Sequence, residues 1–237
     1  MSRAPRLAVA LDVESRAAAI AAAEMLRGHV DIAKVGLELF VSAGPSLVQE
    51  LVDAGWSVFL DLKLHDIPAT VAGAIRSAGG LGAEFVTIHA GGGRKMIEAA
   101  VAARGGDGSP LLLGVTVLTS LDGAQLEEIG VRGGTGQGVA RLAELAHSAG
   151  CDGVVSSPHE VAAIKAAYGD GFLAVTAGIR PVGTAPNDQA RVSTAADAVR
   201  AGADVLVVGR PIMNADDPAA VAAAIRTEME DAHGRKG

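Results

Sequence analysis

The run Asp61-Leu62-Lys63-Leu64-His65-Asp66 places four ionisable side chains at the end of an apolar segment. Side chains alternate faces along a strand, so over Ser57 to Leu62 Phe59, Asp61 and Lys63 share one face, and Val58, Leu60 and Leu62 the other. Asp61 and Lys63 then aim the same way at the strand's C-terminal end. The same count groups Asp12 with Ala8 and Ala10, and Lys34 with Ile32. If those faces point inward, two carboxylates and two ammoniums converge. Any one of these ions buried alone would be costly, whereas an alternating array lets each stabilise its neighbours by about 4 kcal/mol per close pair before desolvation. Ion pairs that merely close strand ends are the plain alternative, and the joint placement of four charges argues against it. Asp66 follows beyond the strand, with Ile67-Pro68-Ala69-Thr70 opening the next helix around a first-turn proline. From there it reaches the mouth of its own subunit or of a partner.

Eight short apolar runs are available to carry such residues: Leu7 to Leu11, Asp31 to Val35, Ser57 to Leu62, Phe85 to His89, Leu111 to Leu118, Gly153 to Val155, Leu173 to Thr176 and Val205 to Val208. Between them lie Ala-rich segments of helical period, among them Ser15 to Arg27, Ser46 to Ala54, Met96 to Arg104 and Val139 to Ala149. Strict alternation of strand and helix calls for parallel strands buried on both faces. An open doubly wound sheet obeys the same rule. Eight units in 237 residues, with chemistry-bearing residues at many strand ends rather than at one switch point, favour a single (β/α)8 TIM barrel spanning residues 1–237.

Composition fits this architecture. Hydrophobic residues make up 49% of the chain and aromatics only 3%, so Ala, Val, Leu and Ile must fill the core. A formal charge of −7 disfavours a surface built for nucleic acid or an anionic membrane. The apolar stretch near the N-terminus is too short for a signal segment or a membrane span, which makes a cytoplasmic enzyme the expectation. Cys151, the one cysteine, reads as a buried structural thiol at a helix-to-strand junction. Gly133-Gly-Thr-Gly-Gln-Gly138 lacks the spacing of a dinucleotide fingerprint and reads as a flexible loop leading into a helix. Ser156-Ser-Pro-His-Glu160 reads as a helix start, and Trp56 as packing beneath the third strand. His89 either borders the site or is a satisfied interior histidine, and His65 has no evident role.

Phe59-Leu-Asp-Leu-Lys-Leu-His-Asp-Ile-Pro68 resembles the signature of the orotidine 5'-monophosphate decarboxylases. Leu7-Ala-Val-Ala-Leu-Asp12, Lys34-Val-Gly-Leu-Glu-Leu-Phe40, Val115-Thr-Val-Leu-Thr-Ser120, Gly178-Ile-Arg-Pro181, Asn187-Asp-Gln-Ala-Arg-Val192 and Val208-Gly-Arg-Pro-Ile212 agree with that pattern in order. Ala177 stands where many members carry proline.

The resemblance implies orotidine 5'-monophosphate as substrate and uridine 5'-monophosphate and carbon dioxide as products, with no metal or organic cofactor. It also implies that Lys63, fixed by Asp61 and Asp66, stabilises charge at C6 and protonates it, while Lys34 and Asp12 complete the network and contact the ribose. It further implies a homodimer in which Asp66 enters the neighbour's site, with Ile67 and Thr70 among the substrate contacts. Barrels commonly hold phosphate after strands seven and eight, where Gly178-Ile179-Arg180 and Gly209-Arg210-Pro211 stand. Arg210 offers a bidentate fork, and Gly209 allows close backbone approach. The polar segment from Arg180 to Val192 is long enough for a lid, with Gln189 as its ligand contact. Thr119 either reads the pyrimidine edge, with Ser120, or caps the helix after Leu121.

A sister enzyme that works through a Mg²⁺-stabilised enediolate shares the Asp-x-Lys-x-x-Asp run. Lys34 speaks against it, because that group places an acidic metal ligand near this position. A non-catalytic nucleotide sensor on the same scaffold is the other alternative.

Overall fold

The structure is a computed structural model that describes residues 4–106, 109–180 and 193–234. Eight parallel strands follow one another around a closed barrel: β1 (Arg6–Ala10), β2 (Ile32–Gly36), β3 (Ser57–Leu64), β4 (Phe85–His89), β5 (Leu111–Val115), β6 (Gly153–Ser156), β7 (Leu173–Thr176) and β8 (Val205–Val208). Closure by pairing of β1 with β8 excludes the open sheet, which would leave both as edges.

Alternation along each strand divides the core in two. Ala8, Ala10, Ile32, Phe59, Phe85, Leu113, Leu173, Val175, Val205 and Val207 fill the barrel interior. Leu7, Val9, Ala33, Val35, Val58 and Leu60 point outward beneath the helices. Phe59 and Phe85 meet edge to face at 5.9 Å, and the small Ala8 and Ala10 of β1 leave room for them. The shell is equally economical: Ala19, Ala23, Ala78, Ala100, Ala143 and Ala146 are buried helix positions that allow close approach to the sheet.

Helix boundaries follow local chemistry. Ser15 caps Arg16–Met25, Pro45 opens Pro45–Asp53, and Ser157 with Pro158 starts Pro158–Tyr168. Helices Arg94–Ala103 and Gly134–Ser148 begin before the expected Met96 and Val139. The Gly133–Gly138 run is therefore mostly the first turn of a helix rather than a loop. Gly133, at φ 92°, is the left-handed entry to it. Leu111 to Leu118 is likewise corrected: β5 ends at Val115, and the Thr116 hydroxyl donates to the Val155 carbonyl. That turns Val117, Leu118 and Thr119 toward the barrel mouth.

Candidate active site

A cavity of about 250 Å³ opens at the C-terminal ends of the strands, and Asp12, Lys34, Asp61, Lys63, Thr119, Arg180, Gly209 and Arg210 are among its lining residues. It sits where barrels carry their chemistry. Three of these charged residues continue an interior row: Asp12 follows Ala8 and Ala10, Lys34 follows Ile32, and Asp61 follows Phe59.

Lys34 is buried and lies between two carboxylates, its Nζ 3.4 Å from Asp12 Oδ1 and 3.5 Å from Asp61 Oδ2. Lys63 Nζ stands 2.9 Å from Asp61 Oδ1. Asp61 thus joins the two ammoniums. Burial pushes the Asp61 carboxyl up, but Lys34 and Lys63 beside it, with hydrogen bonds from Lys63 and Thr87, outweigh burial and hold it below the ordinary value of 3.8. A charged carboxylate at the bottom of the cavity is the result.

Two glycines make room for the array. A Cβ on Gly36 would stand 3.1 Å from Lys34 Nζ and 3.4 Å from Asp12 Oδ1, and one on Gly209 would stand 3.3 Å from the Ala10 Cβ and 3.4 Å from Asp12 Oδ2. Asp12 is flanked on both sides by residues without side chains. The crowding at Gly209 is toward Ala10 and Asp12, a role beside the phosphate approach expected of it, and Gly36 was overlooked within its motif.

The period-two count for Asp61 and Lys63 gives the right face by a less regular route. Leu60 pairs with Val86, yet Leu64 pairs with Ile88, so β3 spends two extra residues there. Within that bulge Lys63 takes φ 51°, the left-handed region and the one positive φ outside glycine among the described residues. Its N–H donates to Thr87 Oγ1 at 2.8 Å, and the Thr87 hydroxyl donates to Asp61 Oδ1 at 2.9 Å. Thr87 is fully buried. Sequence reading passed over it, although the alternation that turned His89 inward places Thr87 on the same face.

Asp66 does not join the network within its own chain. It is exposed, and its Oδ1 accepts the N–H of Ile67 at 2.6 Å. Ile67 and Thr70 are exposed too and lie outside the cavity lining. His89 also departs from the mouth: it stacks on His65 at 5.2 Å and accepts the Gly91 N–H on Nδ1. Burial, then His65 and Lys63, hold its imidazole below the ordinary value.

At the opposite wall Arg180 is buried, and its Nε has no hydrogen-bond partner among the described residues. Its backbone N–H donates to the Ser193 carbonyl at 3.0 Å. Arg210 opens the short helix Arg210–Met213 after β8. Thr119 lines the cavity, and the helix after Leu121 is capped by Asp122 in a reciprocal box with Gln125, which removes the capping alternative for Thr119. Ser120 is exposed and does not line the cavity. Gln189 and most of the expected lid lie outside the described residues.

Among the described residues no group of three His, Cys, Asp or Glu side chains is placed to hold a metal. Cys151 is buried, and burial, with Asp152 nearby, pushes its thiol up to about 12, so it is no nucleophile at neutral pH. No helix among the described residues is long and apolar enough to cross a membrane.

Comparison with known proteins points to one family. The family model described as Orotidine 5'-phosphate decarboxylase / HUMPS family matches residues 5–225. An orotidine 5'-phosphate decarboxylase of Halorhodospira halophila is 55% identical, covering 95% of this chain and 96% of that protein. One of Anaeromyxobacter sp. (strain K) is 54% identical, over 95% and 98%. The crystal structure of orotidine 5'-phosphate decarboxylase from Lactobacillus acidophilus superimposes with a TM-score of 0.84 at 38% identity, covering 96% of this chain and 99% of that one.

Proposed function

Because the chain belongs to the Orotidine 5'-phosphate decarboxylase / HUMPS family and acts in it as an orotidine 5'-phosphate decarboxylase, we propose that Lys63 carries the chemical step within the Asp12, Lys34, Asp61 and Lys63 array. The substrate loses its C6 carboxylate as carbon dioxide. The C–C electron pair stays on C6, a ring carbon with no adjacent electron sink, and the enzyme must lower the barrier by about 20 kcal/mol. Stabilisation falls to preorganised charge: the Lys63 ammonium faces the developing carbanion and transfers one N–H proton to it, leaving a neutral amine that solvent reprotonates.

The observation that carries this reading is the Asp61 carboxylate, 13% exposed, which holds Lys63 at 2.9 Å and Lys34 at 3.5 Å on one cavity wall. Charges fixed in advance cost no reorganisation during the reaction. Lys34 and Asp12 take the ribose hydroxyls, Thr119 the pyrimidine edge, and Arg180 and Arg210 the phosphate, with Gln189 closing over it. Support for the phosphate side is the buried Nε of Arg180, which has no hydrogen-bond partner among the described residues and lies across the cavity from the lysines. The reading uses no metal and no organic cofactor.

Lys63→Ala removes both the charge and the proton donor, so it lowers kcat by more than the ~10⁴-fold of an ordinary general acid. Absorbance loss on conversion of orotidine 5'-monophosphate measures it, beside a circular dichroism check of the fold. A folded variant keeping over a tenth of the rate removes the assignment. The wild-type rate is expected to survive EDTA; its loss would point to the metal-dependent relatives.

Asp66, Ile67 and Thr70, exposed on one segment, are assigned to the active site of a second copy in a homodimer. Heterodimers of Lys63→Ala with Asp66→Ala protomers then contain one site with both residues intact and regain activity. Verified heterodimers without it would exclude the shared site.

A further inference from the structure

Thr87 lies on β4 behind the cavity wall, fully buried and absent from the cavity lining. Its hydroxyl is used twice. One lone pair accepts the Lys63 N–H, which the bulge has withdrawn from regular pairing with β4, and the proton is donated to Asp61 Oδ1. Asp61 Oδ1 also accepts from Lys63 Nζ, so a closed circuit runs from the Lys63 backbone through Thr87 and Asp61 to the Lys63 side chain. An L residue at φ 51° is disfavoured, and persists only where its surroundings determine it.

We propose that Thr87 is a positioning residue, whose buried hydroxyl ties the left-handed backbone of Lys63 to the Asp61 carboxylate and so presents ammonium and carboxylate to the cavity in one arrangement. The proposal rests on the reading of Lys63 given above. Lys34 from β2, Lys63 from β3 and Thr87 from β4 face Asp61, and Asp12 reaches it through Lys34. The Thr87 hydrogen bond is among the interactions that lower the Asp61 carboxyl.

Thr87→Val keeps the shape of the side chain and deletes the hydroxyl, and Thr87→Ser keeps the hydroxyl and deletes the methyl. The valine variant is expected to lower kcat by ~10- to 100-fold, the scale of a misplaced reacting group, with KM changed less than ~3-fold. The acidic limb of kcat and the ¹³C-carboxyl titration of Asp61 both move to higher pH. Thr87→Ser restores kcat to within ~3-fold and returns both titrations. A valine variant with wild-type kcat and an unmoved Asp61 titration overturns the proposal. A folded serine variant as impaired as valine overturns it too, by assigning the effect to methyl packing. Should valine not fold, Thr87→Ala carries the same readouts. If Lys63 is not the proton donor, Lys63→Ala retains activity while the Asp61 titration still responds to Thr87, which separates the two failures.

Discussion

The two ends of the barrel use the same acidic and basic residues in opposite ways. At the floor, Asp31, Glu84, Asp152 and Asp204 stand immediately before β2, β4, β6 and β8. Three of them accept a backbone N–H from the preceding strand, Leu7 to Asp31, Leu112 to Asp152 and Ala174 to Asp204, at 2.7 to 2.8 Å. Glu84 accepts the Ser57 hydroxyl instead. Each also has its own cation: Arg226 at 2.9 Å, Arg6 at 2.5 Å, Arg104 at 2.5 Å and Lys165 at 2.6 Å, respectively. At the mouth, two carboxylates and two ammoniums are shared along a chain with contacts up to 3.5 Å, and two of the four, Asp61 and the left-handed Lys63, stand on the bulged β3. Short, separate pairs close a structure. A shared, looser chain leaves charge directed at the cavity, and the strain at Lys63 is borne at the same end.

Exchanging the same substitution between the ends tests this division. Asp61→Asn at the mouth is expected to lower kcat/KM by ~10²- to 10³-fold, the scale of one lost electrostatic stabiliser, with a smaller loss of stability than the floor substitution causes. A large stability loss with intact turnover would make the mouth a structural device like the floor. Asp204→Asn at the floor leaves Lys165, whose side chain is 10% exposed, without its counter-charge, and is expected to cost ~3 kcal/mol in denaturant unfolding while kcat stays within ~3-fold. A comparable fall in kcat would show that floor and mouth are coupled.

The smallest effect is in pH. The folded Asp61 carboxyl titrates below its ordinary 3.8, so its charge contributes stability that is complete above that value and is lost as pH falls through the folded value. Acid unfolding followed in wild type and Asp61→Asn should therefore show a stability difference that is constant above pH ~5 and shrinks below about 3.8. A difference flat down to pH 3 would mean that the neighbouring lysines do not lower Asp61.

Where alternation alone decides, sequence reading and structure agree: all eight strands stand where the apolar runs lie, and Asp12, Lys34, Asp61 and Lys63 share the interior face. The floor acids were equally visible as a carboxylate before each even-numbered strand, and were passed over because nothing local marks an acid as paired. Asp122 with Gln125 illustrates the same limit, since Thr119 and Asp122 are both good caps and only the helix start at Gly123 chooses between them.

The sequence by itself determined eight alternating strand and helix units with parallel strands buried on both faces, and favoured a barrel by their number, while the pairing of β1 with β8 decided closure over an open sheet. It also determined which charges head the interior rows. Only the tertiary structure decided how those charges meet. The bulge in β3, the left-handed Lys63 and the hydroxyl of Thr87 that holds both depend on register between β3 and β4, a relation between residues more than twenty positions apart that no local pattern encodes. The same holds for Asp66, whose place beside the signature lysine in sequence does not bring it to that lysine in the folded chain.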